Sequence, residues 1–365
     1  LDDMAMNPFA DFYRGKRVLV TGHTGFKGSW LVLWLKELGA TVTGVSLSPE
    51  GAPNHWDLLG LDIDDRCIDI RDAGTLADVV RETQPEIVFH LAAQSLVRRS
   101  YRTPLDTWST NVMGTANLLE ACRLAGGVRA VIAVTTDKCY ENQEWPWGYR
   151  EIDRLGGHDP YSASKAGAEL VAASYRSAFF NAPEAIRLAT ARAGNVIGGG
   201  DWSEDRLIPD LVRAVEEVRP LEIRSPNATR PWQHVLESLS GYLLLGQRLL
   251  QENSGFSTAW NFGPDGEGNR TVADVLAILA RHWPALRWQL AETPQLHEAS
   301  LLQLDCAKAR SHLKWRPVWG IEEALARTAE WYRAWSENGE VSSRKQLLAY
   351  LETARKGGHG WAVGG

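Results

Sequence analysis

Apolar and polar positions along the chain alternate between two periods. Arg17–Thr21 is a short, β-rich apolar run, and Ser29–Leu38 then repeats its apolar positions with helical spacing. Thr41–Leu47 is β-branched and strand-like, and Thr75–Arg81 is helical. Glu86–Leu91 is apolar again and precedes a long helical stretch over Thr107–Leu124. Ala130–Thr135, a helix from Tyr161 to Phe180 and Ala185–Ala191 complete the series. Strands alternating with helices of this length predict a parallel sheet covered on both faces. The fold class that follows is α/β: a Rossmann-type doubly wound sheet over residues 14–194, whose ligands lie beyond the carboxyl ends of the strands.

After Gly194 the pattern loosens. Helices over Arg206–Val218, His234–Leu250, Val272–His282 and Ile321–Trp335 are set in loops rich in Gly, Asp and Pro. Residues 195–340 therefore read as mainly a smaller, mixed α/β substrate-binding lobe that exchanges segments with the first. Residues 1–13 and the glycine-rich 356–365 read as flexible termini.

The 365 residues, 44% hydrophobic, exceed what one small core requires. A net charge of −6 argues against nucleic acid or an anionic membrane as partner, and no apolar run reaches the ~18 residues of a membrane span. The N-terminal segment lacks the basic-then-apolar layout of a secretory signal. Four scattered cysteines without a CxxC pair point to a reduced, cytoplasmic protein with no structural metal. His23, His90 and His234 have no metal spacing and read as packing or hydrogen-bonding residues. The sixteen tryptophans read mainly as core packing, with a few rings at a ligand cleft.

Two motifs carry chemistry. Gly22-His23-Thr24-Gly25-Phe26-Lys27-Gly28 follows the first strand and opens a helix. Glycines at this spacing let backbone approach a pyrophosphate, and the helix start offers free N–H groups. The loop is a dinucleotide site of short-chain dehydrogenase type. The end of the second strand, Ser46-Leu47-Ser48, has neither the acidic residue of an NAD site nor an arginine for NADP, so it leaves the cofactor's 2′ position open. Asp69-Ile70 are placed to flank adenine, and Leu91-Ala92-Ala93-Gln94 to lie under ribose and nicotinamide. Further on, Tyr161 and Lys165 share one helix face. A nearby ammonium favours the phenolate, making Tyr161 a base for a hydroxyl group. Thr136, at the end of the strand Ala130–Thr135, is placed to bind that hydroxyl. Asp137 and Lys138 add an acid and a base suited to removing water beside a ketone. Cys139 reads as packing.

The chain resembles the extended short-chain dehydrogenase/reductase family, in its nucleotide-sugar dehydratase and epimerase group, and within it the CDP-glucose 4,6-dehydratases. The resemblance runs from about Arg14 to Trp335. It is carried by the glycine loop through Ser29-Trp30, Thr135-Thr136-Asp137-Lys138-Cys139-Tyr140, Trp147-Gly148-Tyr149-Arg150-Glu151 and Asp159-Pro160-Tyr161-Ser162-Ala163-Ser164-Lys165. Arg192 through Trp202 and Arg230-Pro231-Trp232-Gln233-His234 complete it. The dTDP-glucose group carries Asp-Glu where this chain has Asp137-Lys138.

The resemblance implies tightly held NAD and CDP-glucose as substrate, with CDP-4-keto-6-deoxyglucose as product. It implies Tyr161 as base at the C4 hydroxyl, Lys138 removing the C5 proton and Asp137 protonating the departing C6 hydroxyl. Asn195, Arg206 and Arg230 would contact the diphosphate. It also implies a homodimer or dimer of dimers, packed through the helices from Thr107 and Tyr161, and a place in deoxysugar synthesis for a lipopolysaccharide O-antigen. An epimerase or a dehydratase for another nucleotide is the alternative. Asp137-Lys138 counts against an epimerase, and Thr136, Tyr161 and Lys165 together count against a non-catalytic NAD-binding regulator.

Overall fold

The computed structural model describes residues 8–223, 225–251, 255–291 and 301–363. In chain order the first part runs β1 (Arg17–Thr21), α1 (Phe26–Glu37), β2 (Thr41–Ser46), α2 (His55–Leu59), β3 (Asp64–Cys67), α3 (Ala73–Thr83) and β4 (Ile87–His90). It continues through α4 (Val97–Arg102), α5 (Pro104–Trp108), α6 (Gly114–Ala125), β5 (Ala130–Val134), α7 (Pro160–Ala178) and β6 (Arg187–Ala193). Between α5 and α6, Ser109–Met113 forms one wide helical turn, so the helix read as continuous over Thr107–Leu124 carries a bulge.

After β6 come β7 (Asn195–Ile197), α8 (Leu207–Glu216), β8 (Leu221–Ile223), β9 (Thr229–His234), α9 (Val235–Gln251) and β10 (Ala259–Phe262). β11 (Asn269–Thr271), α10 (Val272–His282), β12 (Trp288–Leu290), α11 (Ile321–Asn338), α12 (Ser343–Lys356) and α13 (Gly360–Val363) follow.

The central sheet has seven strands in the order β10-β6-β5-β4-β1-β2-β3. Every pairing within it is parallel. β4 and β5 are buried along their whole length, as a sheet covered on both faces requires. The seventh strand, β10, comes from chain beyond residue 195 and pairs with β6 at the sheet's edge. Two small sheets, β11-β9-β7 and β12-β8, stand beyond the carboxyl edge. α7 starts cleanly because Asp159 caps it, accepting from Ser162 N–H at 2.9 Å, and Pro160 occupies its first turn.

The described parts of the termini, residues 8–13 and 356–363, bring aromatic rings into the core where composition suggested flexible chain. Phe9 and Tyr13 are buried, and Trp361 stacks on Phe9 at 5.2 Å and Tyr350 at 6.1 Å, with Trp34 edge-on. Large aromatic rings here gain more from burial than glycine-rich chain loses in entropy. Residues 1–7 and 364–365 lie outside the described residues.

Candidate active site

All the candidate residues border one cleft of about 2020 Å³ along the carboxyl edge of the sheet. Gly22, Leu47, Asp69, Ala92, Thr136 and Gly194 each follow a different strand and each line it. The small sheets and α8 close the opposite side, bringing Asn195, Arg206 and Arg230 to the same space.

The glycine loop is built for close approach. Gly22 has φ of +74°, and a Cβ there would sit 2.6 Å from Ala92 N. A Cβ on Gly28 would meet Gly22 O at 2.0 Å. Both glycines are therefore steric necessities, one fixing the turn and one letting α1 start against it. Gly25 N-caps α1, so its first turn, with Phe26 and Lys27, opens into the cleft. Thr24 Oγ1 donates to Leu47 O at 2.9 Å and bonds Ser46 Oγ at 2.8 Å. It ties the loop to the second strand end. Burial, with Arg206 and Lys165 nearby, draws Lys27 down to about 7 against the pull of Asp137.

Two cofactor candidates keep their place in the cleft while their side chains are engaged elsewhere. The Asp69 carboxylate is held by Arg71 at 2.6 Å. Gln94 donates to Leu96 O and Thr107 Oγ1 and accepts from Leu96 N–H at 2.7 Å. What Asp69 and Gln94 offer a ligand is thus chiefly backbone and van der Waals surface, as Ile70, Leu91, Ala92 and Ala93 do.

Tyr161 and Lys165 lie one turn apart on α7, both less than a tenth exposed. Lys165 Nζ donates to Val134 O at 3.2 Å, which ties the helix to the end of β5. Burial lowers Lys165 to about 8, opposed by the Glu169 carboxylate. Tyr161 differs from expectation. Burial raises it to about 12, while the Thr136 hydroxyl and the Arg206 guanidinium pull it down. Desolvation of a phenolate outweighs the cations that the chain itself supplies.

Thr136 Oγ1 donates to Asp137 Oδ1 at 3.0 Å and accepts from Lys138 N–H at 3.3 Å, making a tight turn after β5. Asp137 is buried, and its Oδ2 has no hydrogen-bond partner among the described residues. Lys138 is half-buried beside it. Cys139 is buried and its thiol is raised well above its ordinary range by desolvation, consistent with packing. Arg206 N-caps α8 and is held by Asp201 at 3.0 Å. Arg230, on β9, donates to Thr229 O at 3.0 Å.

The sequence reading missed the supports. Buried Glu169 accepts from Thr135 and Thr190 hydroxyls at 2.5 and 2.7 Å and from Arg192 at 2.8 and 2.9 Å. Arg192 also donates to Tyr140 OH at 2.8 Å. α7, β5 and β6 are locked together beneath the site. Asn111, in the wide turn, donates to Gln94 O and to Ser164 Oγ, joining the loop after β4 to α7. Glu169 one turn beyond Lys165 was the visible signal; the others depend on contacts far apart in sequence. His90 bonds Thr21 and Thr115, His23 meets Asp65 at 3.0 Å, and His234 packs edge-on against Trp319. All three serve the framework.

A doubly wound parallel sheet with this glycine loop, and a Tyr-x-x-x-Lys helix at the same edge, defines a nicotinamide-dependent short-chain dehydrogenase-type protein. The chain belongs to the NAD dependent epimerase/dehydratase family, whose model matches residues 18–261. It is 48% identical over 355 residues to the CDP-glucose 4,6-dehydratase of Salmonella typhimurium (strain LT2), covering 95% of this chain and 99% of that one. It is 31% identical over 339 residues to the dTDP-glucose 4,6-dehydratase of Streptomyces antibioticus, covering 88% and 94%. Among solved structures, the dTDP-glucose 4,6-dehydratase of Streptomyces venezuelae with NAD bound superposes with a TM-score of 0.73 at 28% identity, covering 88% of this chain and 98% of that one. The cofactor is NAD, and the glycine loop with the start of α1, where free backbone N–H groups border the cleft, fits its pyrophosphate.

Proposed function

We propose that this protein is a CDP-glucose 4,6-dehydratase, a hydro-lyase that converts CDP-glucose to CDP-4-keto-6-deoxyglucose and water. The observation that carries the reading is the near full-length identity to a relative of that name. The convergence of Thr136, Asp137, Lys138, Tyr161 and Lys165 on one cleft supplies the chemistry. NAD, when bound, would supply the hydride acceptor and donor for oxidation at C4 and reduction at C6 of the sugar.

The chain's own groups do the rest. The first turn of α1, with Gly22, Thr24, Gly25, Phe26, Lys27 and Gly28, holds the pyrophosphate, and Asp69, Ile70 and Leu91 to Gln94 flank the remainder of the cofactor. Tyr161 takes the C4 hydroxyl proton, assisted by Lys165, and Thr136 orients that hydroxyl. The 4-ketone acidifies C5, from which Lys138 takes a proton while Asp137 protonates the leaving C6 hydroxyl, and Lys138 returns a proton to C5 as C6 is reduced. Asn195, Arg206 and Arg230 hold the diphosphate, for which guanidinium forks are geometrically suited.

Residues 14–194 would chiefly serve NAD and residues 195–340 the nucleotide sugar. Leu105, Trp108, Met113 and Leu170 are exposed on or between α5, α6 and α7, an apolar surface that supports a homodimer through these helices. Free thiols at all four cysteines suit the cytoplasm.

The test is incubation of the purified protein with CDP-glucose, dTDP-glucose and GDP-mannose separately, with and without added NAD. A 4-keto sugar is read by its alkali-induced absorbance and the loss of water by mass. Turnover of CDP-glucose alone is expected. Water loss from none of the three would overturn the reading and leave epimerisation as the reaction to assay.

A further inference from the structure

α4 and the loop before α8 come from opposite walls of the cleft, and a set of ion pairs joins them. Arg98 lies 3.1 Å from Asp205. Arg99 and Arg102, a helical turn apart on α4, converge on Glu204 at 3.1 and 2.9 Å. Arg99 also reaches Glu50, on the loop after β2, at 2.7 Å. Three separate stretches of chain, two of them on the NAD side, thus share one cluster of charges.

The loop they grip is short and fixed at its other end. Asp201 N–H donates to Tyr332 OH at 2.9 Å, and that hydroxyl donates to Asp201 O at 2.6 Å. Asp205 adopts φ of +58°, a left-handed conformation that costs a non-glycine residue energy and persists only where surroundings enforce it. Its carboxylate is the one taken by Arg98. The next residue is Arg206, whose guanidinium is braced by Asp201 at 3.0 Å and by Ser95 Oγ, just before α4, at 3.4 Å. Arg206 lines the same cleft as Tyr161 and Lys27, and its charge favours the Tyr161 phenolate and opposes the Lys27 ammonium.

We propose that Arg98, Arg99 and Arg102 are positioning residues that act through Glu204 and Asp205 to set the Arg206 guanidinium against the substrate's diphosphate. The assignment rests on the reading of the substrate as a nucleoside diphosphate sugar. Each pair is partly exposed and weak by itself. The arrangement matters because Glu204 is shared, so its loss breaks two ion pairs between α4 and this strained turn at once.

The experiment is calorimetric titration of CDP, which needs no turnover, into wild type, Glu204→Gln, Glu204→Asp, Arg206→Ala and the Glu204→Gln/Arg206→Ala pair. Glu204→Gln should weaken CDP about fivefold, the joint worth of two partly exposed ion pairs, with NAD affinity within about twofold of wild type. Glu204→Asp, which keeps the charge, should recover part of the loss. In the Arg206→Ala background, Glu204→Gln should add nothing, because its effect runs through Arg206. Unchanged CDP binding in Glu204→Gln or in Arg206→Ala would overturn the proposal, as would fully additive losses or an equal loss of NAD. Wild type that binds no CDP would instead remove the functional reading underneath it.

Discussion

Glu169→Gln tests the foundation of the site more sharply than a change to the site itself. Glu169 is nearly solvent-free, and its two oxygens accept four hydrogen bonds, two of them from Arg192, which is equally buried. Glutamine keeps the shape, removes the charge and turns an amide N–H₂ toward donors. Arg192 is left as an uncompensated buried cation, at a cost of about 3–5 kcal/mol. A chain of 365 residues unfolds with an entropy near 0.8 kcal/mol per kelvin, so Tm should fall by about 4–6 °C.

The same change reaches catalysis. Glu169 is what holds Lys165 up to about 8 against desolvation, so its neutralisation lowers Lys165 further. Lys165 carries its ammonium below its pKa and loses it as pH rises through that value. The alkaline fall in kcat should therefore move to lower pH in the variant. Thermal melts and a pH profile of water release check both parts. A Tm within about 1 °C of wild type, or an unmoved alkaline limb, would show that Glu169 neither balances Arg192 nor sustains the Lys165 ammonium.

Four further outcomes are expected. Tyr161→Phe should lower kcat by about 10²–10⁴-fold, the range for a lost acid–base group, with CDP binding retained; assay of 4-keto product in saturating substrate checks it. Lys138→Ala should abolish incorporation of solvent deuterium at C5, and exchange at the wild-type rate would remove Lys138 from that step. Gly28→Ala places a methyl 2.0 Å from Gly22 O, so NAD binding followed by fluorescence should be lost while CDP still binds. Glu237 is buried, and desolvation raises it to about 7. Being harder to ionise folded than unfolded, it contributes fully below about pH 4.5 and loses that contribution as pH rises towards 7. Wild type should therefore lose more Tm between pH 5 and 8 than Glu237→Gln; parallel curves would contradict this.

What the sequence reveals here is what is local. The strands around Val18, Ile87 and Val131 and the helix from Tyr161 announce themselves through short-range periodicity. The glycine loop and Tyr161–Lys165 are legible because a turn or a helix face brings their members together within a few residues. The engagement of Asp69 by Arg71 and of Gln94 by Leu96 and Thr107 depends on how two loops fold, so their residue types alone suggest freer side chains than the structure shows. The clamp between residues 98–102 and 204–205, and the bond from His55 to Ser343 at 2.7 Å, join segments that only the completed fold brings together. The glycine-rich C-terminus misleads because Trp361, one ring among many glycines, finds an aromatic seat on Phe9.

The proposed reaction is an internal oxidation, elimination and reduction on one nucleotide sugar. The direct measurement is conversion of CDP-glucose deuterated at C4, with the product's C6 methyl group read by NMR and mass spectrometry. Deuterium recovered at C6, with no net reduction of NAD, is the predicted result. A 4-keto-6-deoxy product with C6 hydrogen drawn from elsewhere, or deuterium returned to C4 of an unchanged or epimerised sugar, would contradict the account.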